Sequence, residues 1–520
     1  YYSADYCPVI FVTAEDGEKL KGIEKDERAI TVKHESAGEG TTSHYQVSAY
    51  SSWGVTNDLK LKPEVAAPGG NVYSSIPNGG YQYMSGTSMA TPQMTGITAL
   101  MHEYVEQDEK FAGMSASEKT AVVTQLLMNT ATPLADTDDL SSYYSPRQQG
   151  AGLVNVADAT TSDVYATVEG AENASRPKAD VGESTEGTWS FTVTLHNLGS
   201  TDRTFAFDAA ALSDTVANGL FQQQSKNWTG QGISVSCSAG NEVSVPAGET
   251  ASCTVSITCE EAFKSFAAAN TPNGTFVDGF ALFNATDGGV DLSVPFMGFY
   301  GDWSAASVFD DAIDEDYHIY GTSLVDAQSG DYLGVNPLDD SARTDASKVD
   351  LDKVVLSASS YAYAPTSLTT KTGLLRNVDS LKYEVIEGGE SIGEAEYAYV
   401  PKTTWNATYG TFVNAESTSP FQNGAPVLSG ANGEETVTLK QTATTSGPTP
   451  ESQEQSFDIQ YDLTGPSIES VRYDDNNGAP TLTFTVEDNT YLAAIDFVNP
   501  EITGVTPYAG FHRVLVDPDE

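Results

Sequence analysis

The sequence predicts a multidomain chain: the C-terminal part of an α/β parallel-sheet domain, followed by antiparallel β-sandwiches. Three observations carry that expectation. At 520 residues the chain is too long for one ordinary core, and its length suggests about three or four domains. Met94, Ile97, Leu100, Met101 and Tyr104 have roughly the apolar spacing of a buried helix. From about residue 161 the period becomes two: Trp189, Phe191, Val193 and Leu195 alternate with Ser190, Thr192, Thr194 and His196.

The composition narrows the class. A hydrophobic content of 39% with 10% aromatics supports packed cores and argues against wholesale disorder. The net charge of −47, from 72 acidic and 25 basic residues, argues against a nucleic-acid-binding surface and for solvated acidic faces. No run approaches the length of a membrane span. No signal peptide is visible, and Tyr1-Tyr2-Ser3 reads as mid-domain, so the expectation is a processed or truncated piece of a longer precursor. Of the four cysteines, Cys7, Cys237, Cys253 and Cys259, none has zinc-like spacing. Cys253 and Cys259 would share one strand face, where a bridge between them is strained. Cys237 with Cys253 on neighbouring strands is the better disulfide pair, with free buried thiols the alternative.

The stretch that carries chemistry is Met84-Ser85-Gly86-Thr87-Ser88-Met89-Ala90-Thr91-Pro92. Ser88 falls where a helix begins, and peptide N–H groups there are unpaired and favour negative charge. A hydroxyl acting as a nucleophile beside a developing oxyanion needs such a place. Gly86 and Ala90 leave room for a substrate backbone. Taken alone, the tripeptide reads mostly as a helix-capping serine in a loop.

Its neighbours decide between these. Leu61-Lys62-Pro63-Glu64-Val65-Ala66-Ala67-Pro68-Gly69-Gly70 lies upstream, and Ser145-Pro146-Arg147-Gln148-Gln149-Gly150-Ala151-Gly152-Leu153-Val154-Asn155 downstream. In this order the three blocks resemble the nucleophile half of the subtilisin-like serine proteases, more narrowly the cell-envelope proteinases and C5a-peptidase-type members. The resemblance implies that Ser88 is the acylating nucleophile of a peptide-bond hydrolase that requires no cofactor for its chemistry. Gln93-Met94-Thr95-Gly96 departs from the family's His-Val-Ala-Gly, at a position outside the triad.

The same resemblance orders the rest. Residues 1–45, with an apolar run at Pro8–Thr13 and a helix start at Ala14–Leu20, are similar to the end of a protease-associated insert domain. Residues 46–160 are the C-terminal part of the catalytic domain, where Ser115-Ala116-Ser117-Glu118 has capping-box spacing before Val122, Val123, Leu126 and Leu127. Residues 161–302 form a first β-sandwich, with strands at Glu242–Val245 and Thr254–Thr258 joined through Pro246-Ala247-Gly248, and a pair around Asp287-Gly288-Gly289. Its closing string Val294–Trp303 resembles the fibronectin type III-like domain that follows the catalytic domain in C5a-peptidase-type enzymes. Residues 303–350 read as an acidic linker. Asp310–Asp316 and Asp339-Asp340 are conceivable structural-calcium ligands, but they fit no defined calcium loop. Residues 351–465 read as a second fibronectin-like sandwich, and 466–520 as the start of a third.

The nucleophile needs a histidine base oriented by a carboxylate. The histidines are His34, His44, His102, His196, His318 and His512, and none has the family's His-Gly-Thr-His setting. His102 would lie about 21 Å along the same helix from Ser88. In the family's chain order Asp, His and an oxyanion-hole Asn precede the serine. All three are therefore expected N-terminal of Tyr1, on a fragment of the same precursor that would be the chain's partner, with protein or peptide substrates and no nucleic acid. A secreted or cell-surface bacterial endopeptidase, active only with that fragment, is the reading. A non-catalytic surface or adhesion protein on a degenerate protease scaffold is the alternative, disfavoured by the intact Gly86-Thr87-Ser88-Met89-Ala90.

Overall fold

The computed structural model describes residues 45–514, except 138, 317, 327–328, 337–338, 340, 358–367, 407–410, 415–435, 463–466, 477–478, 488–494 and 498–511. It divides into the units Tyr1–Tyr45 and Gln46–Glu520. The expectations for Pro8–Thr13 and Ala14–Leu20, and for Cys7, His34 and His44, fall outside the described residues.

The first part of the second unit begins with two hairpins, β1 (Gly54–Val55) with β2 (Leu61–Lys62), and β3 (Val72–Ile76) with β4 (Gly80–Met84). Helices α1 (Thr87–Gln107) and α2 (Ala116–Asn129) follow, then short α3 (Pro146–Gln149) and α4 (Val156–Thr161). The expected capping box forms: Ser115 Oγ accepts from the Glu118 backbone N–H, and the Glu118 carboxylate accepts from the Ser115 N–H. Its helix buries Val122, Val123, Leu126 and Leu127 with Met101, Val105 and Phe111 in one small core. A parallel sheet is absent among the described residues of this part, where the one parallel pairing is the bridge Ala66–Leu153. The physical trace of this is α1, which buries only Met101 and Val105 and leaves Leu100 60% exposed.

The period-two region folds into two facing sheets. β5 (Val164–Val168), β6 (Ala179–Ser184), β7 (Thr188–Asn197), β8 (Arg203–Ala217), β9 (Leu220–Asn227), β10 (Ile233–Cys237), β11 (Glu242–Val245) and β12 (Thr250–Cys259) precede α5 (Glu261–Asn270). β13 (Thr275–Ala285) and β14 (Leu292–Tyr300) complete the sandwich. One sheet runs β10-β12-β7-β5 and the other β11-β8-β13-β14-β6, with β9 on β8. Trp189, Phe191, Val193 and Leu195 face the shared core, as their alternation requires. One detail departs from the sequence reading, and a second lay beyond it. β14 pairs with β6 in parallel, so that sheet is mixed. β11 and β12 lie in different sheets, and the chain crosses between them through Pro246–Glu249.

Cys237, Cys253 and Cys259 are free thiols, so the expected Cys237–Cys253 bridge is not formed. Burial pushes the Cys259 thiol up to about 12, and the buried Tyr383 hydroxyl likewise to about 12. Each binds its proton more tightly folded than unfolded, so its contribution is complete below the unfolded value and is lost as pH rises through the folded one. The urea midpoint is therefore expected to fall between about pH 9 and 12. A midpoint constant over that range would contradict the burial of these groups.

The acidic segment is not a solvated linker. Val308, Phe309, Ile313, Leu324, Val349 and Leu351 are buried, and β15 (Ser323–Asp326) pairs with Leu368–Lys371 of the next module. Asp310 is 4% exposed and its carboxylate accepts from the backbone N–H groups of Ile319, Tyr320 and Gly321, which hold it below the usual carboxylate range against the opposing effect of burial. Its oxygens are thereby committed to organising a loop. Among the described residues no cluster of acidic, histidine or cysteine side chains is placed to hold a metal.

Beyond it lie β16 (Val355–Ser357), β17 (Leu368–Lys371), β18 (Val378–Glu387), β19 (Glu390–Val400), β20 (Thr403–Asn406), β21 (Thr411–Asn414), β22 (Thr436–Thr444) and β23 (Ser452–Asp462). A sheet β16-β23-β22-β18-β19 buries Leu381, Tyr383 and Val385 on one face. The last part is a hairpin of β24 (Ser467–Asn476) and β25 (Ala479–Glu487), then the paired β26 (Ile495–Phe497) and β27 (His512–Val514).

Candidate active site

The three sequence blocks converge around Ser88. Gly86, two residues beyond β4, caps α1 without a side chain, so Thr87 and Ser88 are the first two helical residues. Helical hydrogen bonding starts with Met89 N–H on the Gly86 carbonyl at 3.0 Å, so the N–H groups of Thr87 and Ser88 precede it. The first turn carries no acidic residue to cancel the positive end of the helix. Ser88 is exposed there, with its own N–H available to a developing oxyanion. Pro92 lacks the N–H that would have bound the Ser88 carbonyl in a regular helix.

The upstream block holds this turn in place. Gly86 N–H donates to the Gly69 carbonyl at 2.9 Å, and Asn71 N–H to Ser85 Oγ at 2.8 Å. A Cβ on Gly69 would lie 2.8 Å from the Gly86 oxygen and 3.3 Å from Ala90 Cβ, so only glycine permits this approach. We expect Gly69→Ala to displace Ser88 and slow its labelling by a fluorophosphonate on the order of 10²-fold, in a protein carrying the base. An unchanged labelling rate would refute this bracing role.

The downstream block backs the upstream one. Ala151 N–H donates to the Glu64 carbonyl at 2.9 Å, Ala66 N–H to Gly152 at 2.8 Å, and Val154 N–H to Ala66 at 2.9 Å. Gly150, at φ +63°, sits so close that a Cβ would fall 2.3 Å from Glu64 backbone. In the same block Arg147 is buried, donating to Asp278 at 2.7 Å and Asp214 at 2.6 Å, with its guanidinium 4.2 Å from the Phe276 ring centre. Asp278 is fully buried, and desolvation raises its pKa against the lowering effect of Arg147 and Ser145.

Sequence reasoning missed two of the holding residues. Gln93, set aside as a departure, donates from Nε2 to the Pro68 carbonyl at 2.7 Å. Tyr50 OH donates to the Gly69 carbonyl at 2.9 Å. Gln93 lies within the second turn of α1, and nothing in its spacing pointed to Pro68, twenty-five residues away. Tyr50 gave no signal either, since nineteen residues separate it from Gly69.

No described histidine is brought to Ser88. His102 shares α1 with it, about 21 Å along the axis. His196 stacks on Tyr165 with ring centres 4.6 Å apart, bonds Thr167 Oγ1 at 2.9 Å, and is held below its usual pKa by burial. His318 Nδ1 lies 3.2 Å from the Glu315 carbonyl.

A serine at an exposed helix N-terminus, cradled by a glycine turn, is an arrangement chemically suited to nucleophilic attack. Residues 1–152 match the subtilase family, and residues 181–297 match an Fn3-like domain. Over 436 residues the chain is 28% identical to a C5a peptidase of Streptococcus pyogenes serotype M1, covering 82% of this chain and 33% of that protein. It is also 28% identical over 407 residues to a PI-type proteinase of Lactococcus lactis subsp. cremoris, covering 74% of this chain and 20% of that one. The chain thus spans about a third or less of the length of these curated relatives. The resemblance drawn from the three sequence blocks is borne out.

Proposed function

We propose that this chain is the nucleophile-bearing part of a subtilisin-like serine endopeptidase that acts on proteins outside a bacterial cell. Ser88 attacks the scissile carbonyl, its own N–H supplies one oxyanion donor, and the acyl-enzyme is then hydrolysed. The observation that carries this is the position of Ser88: exposed at the N-terminus of α1, with Gly86 tied to Gly69. The base, its orienting carboxylate and the oxyanion-hole Asn come from a segment N-terminal to residue 1. Two features support that division. His196 is engaged with Tyr165 and Thr167 while His102 lies about 21 Å along α1 from Ser88, and α1 presents the exposed Leu100 where a catalytic domain would bury it. No described helix is long and apolar enough to cross a membrane.

The test is fluorophosphonate labelling with mass-spectrometric site mapping, on the 520-residue chain alone and together with the preceding segment. Adduct on Ser88 only in the combination is the expected result. Lack of adduct in the combination would leave the scaffold reading in its place. Peptide turnover by the isolated chain would show that the base lies within it.

A further inference from the structure

The three described cysteines of the first sandwich are not equivalent. Cys237 ends β10, the edge strand of the four-stranded sheet, and is half-buried. In the β10–β12 register Cys237 faces Val255, so Cys253 is its diagonal neighbour on the same inward face. Burial, and after it the neighbouring Cys237 thiol, hold the Cys253 proton in place. The turn after β10 clamps the two cysteines together: Ser238 N–H donates to the Thr254 carbonyl at 2.9 Å, and Thr254 N–H to Ser238 Oγ at 2.8 Å. Cys259 is apart from both, at the other end of β12, opposite Ile233 and against Gly187.

We propose that Cys237 and Cys253 are a dithiol site that accepts a small-molecule disulfide as oxidant and closes to an intramolecular bridge, locking edge strand β10 onto β12. The Cys237 thiolate attacks one sulfur of the oxidant, forming a mixed disulfide and expelling one thiolate, which takes up a proton. The Cys253 thiol then gives up its proton to solvent and attacks the Cys237 sulfur, expelling the second thiolate. Two protein thiols and one disulfide thus become one protein disulfide and two small thiols. The order follows from burial: Cys253 is 2% exposed and its thiol is pushed up to about 12, so the first attack falls to Cys237. An edge strand is where a sheet opens first, so a bridge here constrains the segment with least neighbouring support. This site is independent of Ser88.

The test treats the folded full chain with oxidised glutathione, counts thiols after unfolding, and maps peptides by mass spectrometry. The expected result is loss of two thiols, a linked Cys237–Cys253 peptide, and a rise of about 5 °C in the sandwich's thermal midpoint. Cys253→Ser is expected to stop at glutathione on Cys237, and Cys237→Ser to leave Cys253 unmodified. The proposal is overturned if the unsubstituted chain stops at the mixed disulfide, keeps both thiols, or links Cys237 to another cysteine. Repeating the mapping on Cys7→Ser distinguishes that last outcome, since bridge formation is expected to be unchanged there.

Discussion

Ser88→Ala, in a protein that also carries the segment preceding residue 1, is expected to lower kcat on a peptide substrate on the order of 10⁶-fold. The size follows from the way a serine triad works as a unit: with the nucleophile gone, base and oxyanion donors have nothing to activate. The substitution should barely alter stability. Ser88 is exposed, and exposed substitutions away from structural features usually change stability by less than about 0.5 kcal/mol. A steady-state assay alongside thermal unfolding separates the two effects. Activity retained by a folded Ser88→Ala protein would remove Ser88 from the mechanism, whatever the origin of the base.

The second large effect is on stability. Arg147 is the only cation that contacts the fully buried Asp278 among the described ion pairs, and it also binds Asp214. Arg147→Met removes that compensation while roughly keeping volume, leaving one carboxylate with zero exposure and another 8% exposed. Breaking a buried pair from one side costs about 3–5 kcal/mol. Urea unfolding is expected to show a loss of that size. Replacing Asp278 as well, as Arg147→Met/Asp278→Leu, should recover a large part of it, because the charge most expensive to strand is gone. If the single variant lost less than about 1 kcal/mol, the network would not be holding the 145–155 block to the sandwich. The same block backs Glu64–Ala66, so Arg147→Met should also slow labelling of Ser88.

The legibility of the fold differed by element. Ser115-Ala116-Ser117-Glu118 announced its helix because a capping box is local chemistry, complete within four residues. The alternation through Trp189–Leu195 announced its strand for the same reason, since side-chain direction follows from backbone pleat alone. The acidic segment 303–350 misled because its charge hid sparse apolar residues, Val308, Leu324 and Leu351 among them, without a recognisable period. Their burial depends on strands beyond residue 368, such as the partner of β15. The crossing between β11 and β12 was equally invisible, since a Pro-Ala-Gly turn serves a hairpin and a change of sheet alike.

By itself the sequence determined that Ser88 opens a helix, that three blocks surround it, and that period-two sandwiches follow. These depend on spacing and on the backbone preferences of glycine, proline and capping residues, which act over a few positions. Only the tertiary structure decided what holds the serine in place: Gly69 against Gly86, Gln93 on Pro68, Tyr50 on Gly69, and Arg147 between two buried aspartates. It also decided that Cys237 and Cys253 are free thiols at diagonal positions on one sheet face. Such contacts join residues far apart in the chain, and their energies exist only once burial has removed water from around them.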